Sequence, residues 1–304
     1  MTQAPNPLPQ PGLPGAGGRS VGNLMCVASM FVWAAGFPAA EVLLDTWHPV
    51  ALTAARMLLA VLLLLPLWIV LDGWQAVLTA RWGWGSVVGG LAFGGGATCL
   101  VAGQVLTDPV TVAIIVSAAP LAGAVIEWVL EGRRLTRGFA LGLGASFVGG
   151  FVATGGGVPQ GFGLGALFAV TSCFLFAWGS HLTVRDFPML TPLGRTTLTL
   201  SGGLIFSALA FLISNALGWV EVPPAIWEPQ TLGYLMVYAV AALALSQVLW
   251  IAAVGRLGVA IASMHINVAP FYVMLILLVL GQAWSWPQAI GASIVALGVI
   301  FAQR

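Results

Sequence analysis

The chain has 304 residues, of which 60% are hydrophobic and only 6% charged, with a formal net charge of +1. Soluble domains carry roughly 25% charged residues, so most of this surface faces something other than water. All ten basic residues are arginine, and so balanced a charge rules out the broad basic face that a nucleic acid partner needs.

Residues 1–20 read as a cytoplasmic tail. The stretch PNPLPQPGLPGAGG has no charged leader and no apolar core, so it is expected to be disordered rather than a signal peptide. From Val21 onward, Pro, Gly and charge clusters cut the chain into ten apolar segments. They lie near 22–40, 49–71, 84–106, 109–130, 137–154, 162–184, 193–216, 230–254, 258–280 and 286–302. A bilayer core about 30 Å thick takes about 20 helical residues. Lipid cannot satisfy open strand edges, and continuous apolar runs lack the alternation of a barrel strand. The expected fold is therefore an all-α membrane protein of ten transmembrane helices.

Arginine placement orients these segments. With the N-terminus inside, Arg19, Arg81, Arg133, Arg134, Arg137, Arg185, Arg195, Arg256 and Arg304 all fall at inner ends. No arginine falls in an outer loop, which agrees with the positive-inside rule. Both termini are thus expected in the cytoplasm, and the chain in a bacterial-type inner membrane. Trp47, Trp68, Trp74, Trp82, Trp84, Trp219, Trp227, Trp284 and Trp286 lie near segment ends and are expected as interfacial belts. Cys26, Cys99 and Cys173 lie in apolar runs without ligand spacing, so they read as small hydrophobes, and no metal or disulfide is expected.

The sequence repeats. Segments 4–5 and 9–10 align through Pro120 and Pro270, each preceded by Ala, and then through Gly142 with Gly291 and Gly149 with Gly298. FVWAAG in segment 1 matches FAWGSH in segment 6, and Pro49 and Pro192 open segments 2 and 7. Five spans per copy is an odd number, so the second copy enters the membrane upside-down. The two units run over 21–156 and 161–304.

These residues, with Leu130-Glu131-Gly132, Leu135-Thr136 and the Gly-rich fifth segment, carry a resemblance over about 22–302. The chain resembles the drug/metabolite transporter superfamily, in its EamA-type ten-helix branch. The resemblance implies a basket of helices around a central cavity lined mainly by helices 1, 3, 4, 6, 8 and 9. It also implies export of amino acids and related metabolites, including the aromatic amino-acid exporter type. Two departures stand out: Leu280-Gly281-Gln282 lacks the acid that the family often has there, and Thr199 replaces a second-half arginine equivalent to Arg56.

Ionisable groups inside a membrane are rare and costly, which makes each a functional candidate. Arg56 lies seven residues past Pro49, roughly 10 Å deep. It suits a substrate carboxylate, or a structural role bracing backbone carbonyls or Asp45. His181 and His265 could titrate or donate to a carboxylate, or make interhelical hydrogen bonds. Glu127 is explained by the inner arginines or by a proton or substrate role. Proline frees the carbonyl one turn back, so Pro38, Pro120 and Pro270 are candidate hinges. Ser117 and Asn267, matched before Pro120 and Pro270, could repair those breaks or meet ligand. Trp33 and Trp178 are too deep for belts and are expected to line the cavity, with Gln247, Trp250 and Gln104 as weaker liners.

Phosphate-cradling loops with Lys, HExxH, a Ser-His-Asp set and paired intramembrane carboxylates are all missing from the sequence. The expectation is no enzyme, no cofactor and no ATP-driven pump. It is instead a secondary transporter, functional as a monomer, that exports small zwitterionic metabolites through the bilayer by alternating access. Amino acids with hydrophobic or aromatic side chains are favoured. A nucleotide-sugar carrier would want more cations, and a multidrug proton antiporter an acid in mid-segment 1. A scaffold or lipid-handling protein without a transport cycle is the alternative of a different class.

Overall fold

The computed structural model describes residues 16–106, 115–116, 119–133, 136–153, 163–221, 228–281, 284 and 286–302. Among these residues there are helices and turns and no strand. Segment 1 is two helices, Ala16–Ala34 and Gly36–Leu44, and segment 2 is Pro49–Asp72. Segment 3 is Trp82–Gly89, a π-wound stretch Gly90–Gly95, then Gly96–Leu106. Segment 4 is described over Ala119–Glu131, segment 5 over Arg137–Ala153, segment 6 over Leu164–Arg185 and segment 7 over Pro192–Ala216. Segment 8 runs Pro229–Met236, a π-wound Val237–Leu245, then Ser246–Leu257. Segment 9 is Val259–Met264, a 3-10 turn His265–Val268, then Ala269–Val279, and segment 10 is Trp286–Ala302.

Seven of these runs, segments 1, 2, 3, 6, 7, 8 and 9, are long and apolar enough to cross a membrane. The chain is a multi-pass, all-α membrane protein. The first helix starts at Ala16, so residues 16–20, expected in the tail, are helical. The last proline of the tail is Pro14, and nothing after it blocks a helix.

Local chemistry fixes the helix ends. Pro49 and Pro192 occupy the first helical turn, where the missing N–H costs nothing. The residue before each caps the helix: the His48 side chain accepts from the Val50 N–H and the Thr191 hydroxyl from the Gly194 N–H. The Thr191 hydroxyl also donates to Asp72, tying the start of segment 7 to the end of segment 2. Gly73 and Gly258 stop segments 2 and 8 with φ of +84° and +81°.

The helices pack in a paired order. Segment 1 lies on segment 8 and segment 6 on segment 3; segments 2 and 7, 4 and 9, and 5 and 10 each face one another. Glycine permits the closest of these contacts. A Cβ on Gly142 would stand 2.6 Å from the Gly298 carbonyl, and one on Gly149 2.6 Å from the Gly291 carbonyl. A Cβ on Gly89 would stand 1.7 Å from the Thr199 carbonyl, so segments 3 and 7 meet backbone to backbone.

Two tryptophans depart from the belt expectation. Trp47 and Trp68 are 3% and 0% exposed, packed in separate apolar clusters. Trp74, Trp219 and Trp286 are exposed, as belts require. Trp47 caps a cluster with Leu43, Leu52 and Leu235, and Trp68 fits over Gly194, so position near a helix end did not decide which face the ring takes. Trp227 lies outside the described residues.

Candidate functional site

Four segments lose their α-helical winding within their apolar runs. In segment 1 the break is at Ala35; Pro38 supplies no N–H to the Ala34 carbonyl, and the chain turns there. In segment 9 the 3-10 turn precedes Pro270, the second residue of its helix. Pro120 is likewise the second residue of the described helix of segment 4, and it is buried. Segments 3 and 8 instead carry π-wound stretches, a form that concentrates at functional sites.

The π-wound stretches are clamped alike. Ser29 of segment 1 donates to the Ser246 carbonyl, at 2.7 Å, the first residue past the stretch in segment 8. Ser172 of segment 6 donates to the Gly96 carbonyl, also at 2.7 Å, the first residue past the stretch in segment 3. Both hydroxyls are buried and both bonds join one half of the chain to the other.

Around the breaks lie most of the expected site residues. Trp33 is part-buried against Cys26, Met30, Ala177 and Trp250, edge-on to Phe37 at 4.9 Å. Trp178 is part-buried in a neighbouring cluster with Met57, Phe93 and Leu243. The two rings thus belong to different clusters, and Phe176 touches both. Trp250 is 1% exposed and donates its N–H to the Ser180 hydroxyl at 3.0 Å, a satisfied core residue in this conformation. His265 and Asn267 share the 3-10 turn and are 6% and 4% exposed. Among the described residues, His265 Nδ1 and Gln247 Nε2 have no hydrogen-bond partner. Ser117 lies outside the described residues.

Charged groups gather at one end of segments 4, 6 and 9. Glu127 is 3% exposed; its carboxylate accepts from Arg133 at 2.8 Å and from the Ala260 N–H at 3.2 Å. It therefore caps the first turn of segment 9 from segment 4, beside the positive-φ Gly258. His181 stands 3.5 Å from Glu131, linking segment 6 to segment 4. Asp186 accepts from Arg185 at 2.6 Å and from the Trp84 N–H at 2.8 Å. Burial pushes the Asp186 carboxyl up, but the bonds from Arg185 and Trp84 and the charges of Arg185 and Arg81 hold it below its ordinary value.

Arg56 takes neither of its expected braces. Its Nη1 donates to the Tyr238 hydroxyl at 2.8 Å, and its guanidinium carbon lies 4.2 Å from the centre of the Tyr238 ring. Tyr238 belongs to the π-wound stretch of segment 8 and carried no sequence signal of its own. Glu127 pairs with one of the arginines expected for it, Arg133, whereas its bond from the Ala260 N–H and the bonds of Ser29 and Ser172 carried no sequence signal.

Comparison with known proteins agrees with this geometry. Residues 20–155 match the EamA-like transporter family. A solved structure described only as "Crystal structure of protein" superposes with a TM-score of 0.76 at 19% identity, over 93% of this chain and 96% of its own, a likeness of fold. No curated protein matches the sequence.

Proposed function

We propose that this chain, a member of the EamA-like transporter family through residues 20–155, exports amino acids by alternating access, hydrophobic and aromatic ones preferentially. The family match supports a membrane transporter of small solutes. One observation carries it: the π-wound stretches of segments 3 and 8 are clamped by serines from segments 6 and 1 in matching fashion. Secondary transporters build their midplane sites from interrupted helices related by an inverted repeat.

The same correspondence supports two inverted units over 21–156 and 161–304. Gly142 and Gly149 meet Gly298 and Gly291, each glycine touching the repeat mate of the other, as a two-fold axis in the membrane plane requires. Ten spans, with both ends cytoplasmic in a bacterial-type inner membrane, follow from the arginine distribution. The unit acts as a monomer.

The substrate class follows from the groups near the breaks. Among the described residues they are mostly neutral or aromatic: Trp33, Trp178, Phe176, Gln247, His265 and Asn267, with the cation Arg56. A zwitterion with an apolar side chain fits this set better than a phosphate or a polyvalent ion. Bacterial cells preloaded with labelled phenylalanine test it. Production of the protein should speed efflux over an empty vector, and equal efflux in both argues against export.

A further inference from the structure

Arg56 is the described arginine that lies deep in a span; the others sit within about one turn of a helix end or in a connecting turn. A cation so placed wants a carboxylate. Among the described residues none stands within ion-pair distance, and the hydrogen bond and ring contact of Arg56 both go to Tyr238. Its Nε is buried with no partner, while Nη2 has no hydrogen bond and is not sealed off. The Nε–Nη2 edge is one of the two forks with which a guanidinium grips a carboxylate.

A cavity lies near this pair without including it. One turn outward from Tyr238 on segment 8, Tyr234 helps line a pocket of about 260 Å³ with Asp45, Thr46, Gln230 and Thr231. Tyr238 also sits at the broken part of segment 1. A Cβ on Gly36 would stand 3.3 Å from the Tyr238 ring and 2.5 Å from Ala242, just past the break at Ala35. A shift of Tyr238 is therefore felt where segment 1 can bend.

We propose that the Nε–Nη2 edge of Arg56 is the outer-half seat of the transported molecule's carboxylate, with the Tyr238 hydroxyl as the stand-in that holds the guanidinium when the seat is empty. This rests on the transporter reading. The carboxylate docks on the free fork, Tyr238 keeps its ring against the cation, and its hydroxyl becomes dispensable. Tyr238 is then a positioning residue, coupled through Gly36 to the hinge of segment 1.

Thermal unfolding of the purified protein in detergent tests the seat without requiring transport. The probes are phenylacetate and phenylacetamide, alike in shape but different in charge. Phenylacetate should stabilise the wild type and phenylacetamide should not. Arg56→Gln should weaken phenylacetate binding roughly tenfold or more. Arg56→Lys, a point charge without the fork, should restore only part. Tyr238→Phe should bind phenylacetate at least as tightly as the wild type. Equal effects of acid and amide on the wild type, or a phenylacetate shift undiminished in Arg56→Gln, would overturn the seat. If Arg56→Gln does not fold, the acid–amide contrast in the wild type and Tyr238→Phe decide. Loss of phenylacetate binding in Tyr238→Phe also overturns the stand-in role. Failure of the transporter reading shows separately, as absent amino-acid flux in vesicles.

Discussion

Ser29 donates a 2.7 Å hydrogen bond to the backbone carbonyl of Ser246, 217 residues away, where the π-wound stretch of segment 8 returns to α-helix. A π turn leaves carbonyls out of register with their helical donors, and lipid offers no substitute. Ser172 meets the same need at Gly96. Ser29→Ala and Ser172→Ala should each cost about 1–2 kcal/mol of stability, the price of one orphaned buried carbonyl. Unfolding midpoints in detergent check this, and the two losses should add, because the sites lie on different helix pairs. A loss in one variant alone would mean that the two clamps are not equivalent.

Glu127 holds segment 4 to the first turn of segment 9 and to Arg133. Glu127→Ala strands the Ala260 N–H and the arginine together and should cost about 2–4 kcal/mol. Glu127→Gln keeps an acceptor for Ala260 but loses the charge, and should fall about midway. Arg133 is 36% exposed, so its share is the smaller. Chemical denaturation of the two variants measures the order, and a Gln variant as damaged as Ala would place the weight on the ion pair instead.

Selectivity separates the tryptophans. Trp178→Ala should reduce transport of phenylalanine more than that of alanine, at unchanged membrane yield, because the ring is part-buried beside the break of segment 3. Trp250→Phe should leave the ratio of the two rates alone and lower stability by about 1 kcal/mol, through loss of the bond to Ser180. A panel of labelled amino acids in vesicles reads both.

Sidedness follows from the arginines. Reporters fused at Arg133–Arg137 and at both termini should be cytoplasmic, and one at Glu221 external. A cytoplasmic Glu221 would contradict the ten-span arrangement.

The helices were legible because Pro49 and Pro192 start them, glycines end them and the apolar runs between are unbroken. The break in segment 1 was legible from Pro38, and the disturbed winding of segment 9 from Pro270, since a missing N–H has local consequences. The π-wound stretches were not, because VYAVAALAL has the composition of any apolar helix. Partners were hidden for the same reason. Tyr238 lies 182 residues from Arg56, and only packing brings segment 8 against segment 2. Trp47 and Trp68 were read by distance from a helix end, whereas the face they occupy decided their burial.

Counterflow of labelled phenylalanine into proteoliposomes preloaded with unlabelled phenylalanine reads the exchange of substrate across the membrane without any other driving force. The buried acid Glu127 is held by Arg133 and the Ala260 N–H rather than standing free. Labelled uptake should therefore exceed that of empty liposomes, with or without an imposed pH gradient. Uptake no greater than in empty liposomes, for phenylalanine and for every other amino acid tried, would contradict amino-acid transport by this chain.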